Sequence, residues 1–96
     1  MTREIRWTRR ALRRLDEIGA YVAKDNPTAA THLVTTIAAK ILRLGERPLI
    51  GRLGRVAGTR ELSIGGTNYI VAYRVEKDHV EILTILHTAQ VWPDSL

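Results

Sequence analysis

Four side chains in the second half of the chain have the types that a metal-free cleavage of RNA requires. Such a reaction needs a base for the 2′-hydroxyl proton, cations for the charged phosphorane, and an acid for the leaving oxygen. Arg60 and Arg74 could supply the cations, and His87 or Tyr73 could transfer protons. All of them fall on predicted strands or strand ends, so they could converge on one face of a sheet. Strict alternation, however, puts Arg74 out of phase with Tyr73 on its strand.

Other kinds of catalytic site have little support in this sequence. No cysteine is present, and no two of the three histidines have the spacing of a helical metal-ligand pair, so neither a metal nor a cofactor is predicted. Residues 48–58 are rich in glycine and include Arg52 and Arg55, but they lack the Lys-Ser/Thr ending of a phosphate-binding P-loop. Glu61 and Glu81 could face each other across strands, although solvent-side pairing with arginine or lysine is their simpler role.

The chain carries a large excess of arginine. Its formal net charge is +5, and twelve of its fifteen basic residues are arginine. Arginine suits planar, bidentate contact with phosphate or carboxylate, so an anionic partner is predicted, either a nucleic acid or an acidic protein. A solvated surface is the alternative that composition alone leaves open.

Length and composition indicate one domain that spans residues 1–96. No apolar run approaches the roughly 20 residues that cross a bilayer, and the basic N-terminal segment lacks the apolar core of a signal peptide. The lack of cysteine fits a reducing compartment. We therefore expect a cytoplasmic protein with no membrane partner.

The clearest alternation of apolar and polar residues lies between Thr59 and Pro93. Alternate residues share a face from Arg60 to Ile64 and again from Tyr69 to Val75, which is typical of half-buried strands. The apolar run that ends at Leu86 indicates a strand covered on both faces. Gly65-Gly66 predicts a tight two-residue hairpin turn. Together these signals predict a three-stranded antiparallel meander, centred on its last or its middle strand.

A short strand and two helices are predicted ahead of this meander. Residues 3–7 alternate weakly and predict an edge strand. Thr8 can cap a first helix with one apolar stripe, and Asn26-Pro27 begins a second helix that ends near Gly45. The short connection between the helices makes them an antiparallel hairpin. The predicted fold class is α+β, with the helical hairpin packed on the C-terminal meander.

Three stretches of the meander carry a combined pattern that is more specific than any one of them. They are Arg60-Glu61-Leu62-x-Ile64, Tyr69-x-Val71-x-Tyr73-Arg74-Val75, and Glu81-Ile82-Leu83-x-Ile85-Leu86-His87-x-x-Gln90-x-Trp92. With the order of strand, helical hairpin and meander, this pattern resembles the ParE/RelE superfamily of type II toxin–antitoxin toxins. The resemblance covers nearly the whole chain. It implies a growth-inhibiting toxin that is neutralised by a small antitoxin encoded beside it.

Two positions bear on the target that this resemblance implies. RelE-like members cut mRNA in the ribosome and usually carry an Arg where this chain has Ile70, and a frequent C-terminal Arg of the family corresponds to Gln90. ParE-like members lack the nuclease residues and inhibit DNA gyrase through protein contacts. The resemblance therefore implies a ParE-type gyrase inhibitor with no catalytic residues. The alternatives are a ribosome-dependent mRNA endonuclease and a general nucleic-acid-binding module, and a nuclease would use Arg60, Arg74, His87 and Tyr73.

The resemblance also implies two binding surfaces. The target-binding surface would consist of Arg52, Arg55, Arg60, Arg74, His87, Gln90 and Trp92. The antitoxin, ParD-like and acidic, would lay an amphipathic helix in the groove between the helical hairpin and the sheet. Its contacts would be Arg9, Arg10, Arg13, Arg14, Leu12, Ile37 and Ile41. Toxin and antitoxin are expected to form a hetero-oligomer.

Overall fold

A five-stranded sheet forms the centre of the computed structural model, which describes residues 2–96. The chain runs through β1 (Glu4–Trp7), α1 (Arg9–Ala23), α2 (Pro27–Leu42), a 3-10 turn (Arg43–Gly45), β2 (Arg52–Leu53), β3 (Arg60–Ser63), β4 (Tyr69–Val75) and β5 (His79–His87). The strand order is β1-β5-β4-β3-β2, with β1 parallel to β5 and the other pairs antiparallel. The predicted α+β fold of helical hairpin and meander is confirmed.

Both helices begin at the capping residues that the sequence predicts. The Thr8 hydroxyl accepts the N–H of Ala11 at 3.1 Å, and the Asn26 side chain accepts the N–H of Ala29 at 3.0 Å. Thr8 also joins α1 to the sheet, because its N–H and its hydroxyl both donate to the carbonyl of Ile82, at 3.1 and 2.8 Å. The cap therefore fixes the direction in which α1 leaves β1.

The main core lies between the helices and one face of the sheet, the helix face. Ile18 of α1 and Ile37 and Ile41 of α2 pack there with Val71 and Tyr73 of β4, and all five are at most 1% exposed. This burial corrects the prediction that Ile37 and Ile41 contact an antitoxin, because neither side chain has accessible surface. A two-helix layer over a sheet must bury the apolar stripe of its second helix, and these residues are that stripe.

The C-terminal tail, residues 88–96, covers part of the opposite side of the sheet, the tail face. Ile70 and Ala72 of β4 and Thr84 and Leu86 of β5 are at most 4% exposed. Thr84 and Leu86 line a cavity of about 320 Å³ together with residues of the tail. The central strands are therefore covered on both faces, as the apolar run in β5 predicts.

Two details of the meander differ from the prediction. The connection from β3 to β4 spans residues 64–68 rather than two residues, and only Gly66 has a positive φ, at +79°. Ile64 lengthens it, because its N–H donates to the carbonyl of Tyr69 and its own carbonyl accepts the hydroxyl of Thr67. The second difference is β2, a two-residue strand that lies inside the segment predicted to be irregular.

Candidate interaction surfaces

A buried carboxylate, Glu61, holds two of the predicted target-binding arginines on the tail face. One of its oxygens accepts from Nη2 and Nε of Arg52, at 2.8 and 3.2 Å, and the other accepts the backbone N–H of Arg55 at 2.8 Å. The Glu61 side chain is 1% exposed, whereas those of Arg52 and Arg55 are 59% and 49% exposed. Both guanidinium groups therefore reach solvent from anchored positions.

Arg55 also connects this network to the C-terminal tail. Its guanidinium carbon lies 3.9 Å from the centre of the Trp92 ring, within the range of a cation–π contact. The indole N–H of Trp92 is buried and has no hydrogen-bond partner within residues 2–96. Trp92 thus packs the tail onto the loop between β2 and β3, which limits its availability to a target.

Arg74 forms the second ion pair of the tail face. Its Nη1 lies 3.5 Å from Oε1 of Glu81, its neighbour across β4 and β5, and each side chain is about one-third exposed, at 35% and 36%. Glu81 on β5 and Glu61 on β3 are separated by β4. Each carboxylate pairs with arginine as predicted, but Glu61 does so at a buried position and not on the solvent side.

Arg60 and Tyr73 hold the segment ahead of β2. They face each other across β3 and β4, and Arg60 donates to the carbonyl of Gly51 at 2.8 Å. The Tyr73 hydroxyl donates to the carbonyl of Pro48 at 2.7 Å and accepts the N–H of Gly51 at 2.9 Å. Burial raises the pKa of Tyr73, and the Gly51 N–H and the Arg60 charge offset this only in part. A buried phenol with both positions occupied is a poor proton donor for a ligand.

His87 lies at the other end of the helix face. Its ring meets that of Tyr69 edge-on with 5.3 Å between centroids, and its Nδ1 accepts the N–H of Ala89 at 3.1 Å. The strand β5 carries one extra residue at Leu83, so the side-chain alternation changes phase there. His87 therefore lies on the opposite side of the sheet from Glu81.

Gln90 and Arg14 cover the edge of β5 that β1 leaves open, since β1 pairs only with residues 79–82. The Gln90 side-chain oxygen accepts the backbone N–H of His87 at 3.2 Å and lies 3.4 Å from Nη2 of Arg14. Nε of Arg14 donates to the carbonyl of Ile85 at 3.1 Å. These two side chains replace the hydrogen bonds of a missing strand, and this is a structural role for both.

The four residues proposed for a nuclease do not form one site. Arg60 and Tyr73 lie on the helix face, and His87 pairs with Tyr69, four positions along β4, which is roughly 13 Å away at the usual rise per residue. Arg74 points to the tail face. This corrects the prediction that Arg60, Arg74 and His87 converge, and the cause is the alternation in β4 combined with the extra residue in β5.

The exposed side of α1 is strongly basic. Arg9, Arg10 and Arg13 are all exposed, and Leu12 beside them is 49% exposed. Between α1 and the end of the sheet lies a cavity of about 440 Å³, lined by Arg14, Glu17, Ile18, Tyr21, Tyr69 and His87. This cavity lies in the groove between hairpin and sheet where the sequence predicts an antitoxin helix, a prediction that no contact in the structure tests.

The twelve arginines divide into two groups. Seven of them hydrogen-bond to or pair with other groups of the chain: Arg3, Arg6, Arg14, Arg52, Arg55, Arg60 and Arg74. Within residues 2–96 the side chains of the other five make no such contact: Arg9, Arg10, Arg13, Arg43 and Arg47. The sequence analysis did not single out Arg43 and Arg47, which lie in and just after the 3-10 turn that follows α2.

Two kinds of feature are absent from the described part of the chain. Within residues 2–96, no three His, Asp or Glu side chains are grouped in a way that could hold a metal ion. No helix in that range is both long and apolar enough to cross a membrane.

Comparison with known proteins agrees with this fold. The family model described as the ParE toxin of the type II toxin–antitoxin system parDE matches residues 5–92. The chain is 52% identical over 94 residues to the Sinorhizobium fredii protein named "Putative toxin Y4kP", covering 98% of this chain and 97% of that one. It is 33% identical over 88 residues to toxin RelE2 of Caulobacter vibrioides, covering 92% and 98%.

Two solved structures share the architecture. The chromosomal ParDE system from P. aeruginosa superimposes with a TM-score of 0.80 at 28% identity, over 90% of this chain and 96% of that chain. The toxin–antitoxin complex RelBE2 from Mycobacterium tuberculosis gives a TM-score of 0.59 at 26% identity, over 91% and 99%. Fold and sequence thus define a type II toxin of the ParE/RelE superfamily. Within it, the chain belongs to the ParE toxin family.

We expect Glu61→Gln to lower the free energy of unfolding by about 2 kcal/mol, because the two arginines and one backbone N–H lose their charged acceptor. Urea unfolding followed by circular dichroism measures this. Glu81→Gln is the matched control: it breaks a partly exposed pair, so the expected loss is below about 1 kcal/mol. Equal effects of the two substitutions would contradict the anchoring role of Glu61.

We expect the protein to lose stability as the pH rises above about 10, in part through Tyr73. The pKa of Tyr73 in the folded protein is raised above 10.0, so the unfolded chain loses this proton at a lower pH than the folded protein does. The unfolded state is therefore increasingly favoured as the pH rises. Tyr73→Phe should therefore show a shallower loss between neutral and alkaline pH, whereas Tyr21→Phe, at a 69% exposed position, should follow the wild type. Parallel curves for all three proteins in urea titrations across this pH range would refute the prediction.

Proposed function

We propose that this chain is a ParE-type toxin that inhibits DNA gyrase through protein contacts in the cytoplasm, and that an acidic, ParD-like antitoxin neutralises it. The observation that carries the proposal is the dispersal of the nuclease residues. Arg74 lies on the tail face, whereas Arg60, Tyr73 and His87 lie at two separate places on the helix face. Transition-state stabilisation of a phosphorane requires its donors around one point, which these positions do not provide.

The structural comparisons also support the ParE type over the RelE type. The superposition on the ParDE system has the higher TM-score, 0.80 against 0.59 for RelBE2. The similarity to toxin RelE2 of Caulobacter vibrioides keeps a ribosome-dependent mRNA endonuclease as the second candidate. For that function, Arg52 and Arg55 would bind phosphate, and a proton-transfer group would have to come from outside the predicted set.

The tail face is the surface that we assign to the target. Arg52 and Arg55 extend into solvent from the Glu61 anchor, and Arg74 lies on the same face. Anchored side chains lose little rotamer freedom on binding, which favours recognition of a protein surface. Trp92 and Gln90 contribute by holding the tail and the edge of β5 in place.

We expect purified, antitoxin-free protein to inhibit gyrase supercoiling and to cause cleaved plasmid to accumulate. Arg74→Ala should raise the concentration needed for inhibition about tenfold, because it removes a partly exposed cation from the tail face. Lys24→Ala, at an exposed position at the end of α1, is the control and should act like the wild type. Intact gyrase activity at excess protein, together with cleavage of ribosome-bound mRNA, would replace the gyrase proposal with the endonuclease.

The antitoxin should bind along α1. The side chains of Arg9, Arg10 and Arg13 have no hydrogen-bond or ion-pair partner within residues 2–96, and Leu12 offers apolar contact among them. An amphipathic helix with acidic residues beside its apolar stripe matches both features. The solved relatives named as a ParDE system and a RelBE2 complex support a hetero-oligomer of toxin and antitoxin here.

Reversing the charge of Arg9, Arg10 and Arg13 together to glutamate should weaken antitoxin binding at least tenfold in low salt, with a smaller effect at high salt. Isothermal titration with the product of the neighbouring reading frame measures the affinity. A variant with Lys24→Glu, Lys40→Glu and Lys77→Glu makes the same six-unit change in net charge away from Arg9, Arg10 and Arg13, and is the control. If the triple variant and the control bound equally well, the antitoxin site would not lie on α1.

A further inference from the structure

A small cavity lies between the start of α1, the tail face of β5 and the C-terminal tail. Its volume is about 320 Å³, at the lower end of the range of roughly 300–1,000 Å³ that small-molecule sites occupy in proteins. Its polar lining comes from three parts of the chain: Arg10 and Arg14 on α1, Thr84 on β5, and Gln90 and Ser95 on the tail. Side chains that can donate hydrogen bonds therefore border the cavity from several directions.

One of these donors, the hydroxyl of Thr84, is buried and unengaged. Thr84 is 4% exposed, and its hydroxyl makes no hydrogen bond within residues 2–96. Such a hydroxyl has little access to bulk water, and a buried polar group without a partner costs free energy. A ligand oxygen in the cavity would give Thr84 the partner that the protein does not. Thr84 therefore points to a polar ligand.

Arg14 and Gln90 are held in place at the edge of β5 and still have free donors. Nε of Arg14 donates to the carbonyl of Ile85, and its Nη2 lies 3.4 Å from the side-chain oxygen of Gln90. Nη1 of Arg14 and the amide nitrogen of Gln90 have no partner within residues 2–96. Because both side chains are already fixed, a ligand would bind them with little further loss of rotamer freedom.

The electrostatic potential at the cavity is positive. Arg10 and Arg14 both line it, and neither pairs with a carboxylate within residues 2–96. Over the same range no acidic side chain lines the cavity, and Asp94 of the tail is exposed. Arg10 also belongs to the first turn of α1, where the helix dipole adds to the positive potential. The cavity therefore favours an anion.

A phosphate group fits this arrangement better than a carboxylate does. The donors come from a helix, a strand and the tail, so they surround the cavity, whereas the two oxygens of a carboxylate lie in one plane. A tetrahedral phosphate presents oxygens in several directions, and arginine binds such oxygens with paired N–H groups. Leu86 and Pro93 add apolar walls that a bare phosphate ion would leave uncovered. The complementary ligand is a phosphate attached to a small organic group.

We propose that the cavity between α1 and the C-terminal tail binds a small phosphomonoester, with the phosphate held by Arg10, Arg14 and Thr84. A mononucleotide has the required phosphate together with a sugar and a base for the apolar walls. The proposal goes beyond the proposed function, because binding of this ligand requires neither gyrase nor an antitoxin.

Titration of the ¹⁵N-labelled, antitoxin-free protein followed by NMR tests the proposal. Adenosine 5′-monophosphate and glycerol 3-phosphate are the probes, and we expect saturable shifts of the backbone amides of Thr84 and Gln90 with a dissociation constant of about 1 mM or below for at least one of them. Adenosine, acetate and inorganic phosphate are the comparison ligands, and each should bind at least tenfold more weakly than that probe.

Each of the other results of this titration would overturn the proposal. If neither phosphomonoester gave saturable shifts, the cavity would not be a site for this class of ligand. Equal binding of adenosine or acetate would show that the phosphate is not recognised, and equal binding of inorganic phosphate would show that the organic group is not. An oligonucleotide without terminal phosphates that displaced the probe at lower concentration would assign the cavity to a nucleic-acid backbone instead.

Matched substitutions locate the ligand. Arg10→Gln should weaken probe binding at least tenfold, whereas Arg13→Gln makes the same charge change outside the cavity and should stay within twofold of the wild type. Thr84→Val removes one hydroxyl and should weaken binding at least fivefold, whereas Thr35→Val, at an exposed position on α2, should not. Equal affinities within either pair would overturn the proposal, and circular dichroism checks that all four variants fold.

Discussion

The tail face depends on one buried carboxylate that is shared among several donors. Glu61 is 1% exposed, and removing a charged group from water is favourable only when its partners compensate for the lost hydration. Arg52 and the backbone N–H of Arg55 provide that compensation. Because Arg52 belongs to β2 and Arg55 to the loop that follows it, the carboxylate fixes both the strand and the loop, and Arg55 extends the same constraint to Trp92. The loop between β2 and β3, the C-terminal tail and the edge of the sheet therefore depend on the same buried carboxylate for their positions.

Because the fold pairs many arginines internally, the high arginine content does not by itself indicate a basic binding surface. A net charge of +5 suggests a uniformly basic surface, yet seven arginines are occupied in holding strands, loops and the tail together. Arg60 anchors the segment ahead of β2, and Arg14 replaces a missing strand beside β5. Unengaged positive charge remains at two places, the outer side of α1 and the region of Arg43 and Arg47. Composition measures the total charge, whereas partner binding depends on the charge that folding leaves unpaired.

Structural features that depend on a few neighbouring residues were predictable from sequence, and features that depend on strand pairing were not. Thr8 and Asn26 were identifiable as caps because a cap needs only its own first turn. The meander followed from period-two alternation. The two-residue β2 is too short to show a period, and the extra residue at Leu83 is visible only in the register with β4. The extra residue at Leu83 decides which face of the sheet His87 occupies, so alternation alone could not predict where the His87 side chain lies. Ile37 and Ile41 were misassigned because an apolar stripe does not reveal which layer covers it.

The distribution of paired and unpaired charge bears on how an antitoxin could neutralise such a toxin. On the tail face, the positive charges of Arg52, Arg55 and Arg74 stand beside the carboxylates of Glu61 and Glu81, so the local field is small. The unpaired arginines on the outer side of α1 generate the stronger field, and long-range attraction of an acidic chain follows that field. An acidic antitoxin would thus be drawn first to the outer side of α1. Neutralisation would then act through the bulk of the bound antitoxin, and direct cover of the arginines that we propose to bind the target would not be required.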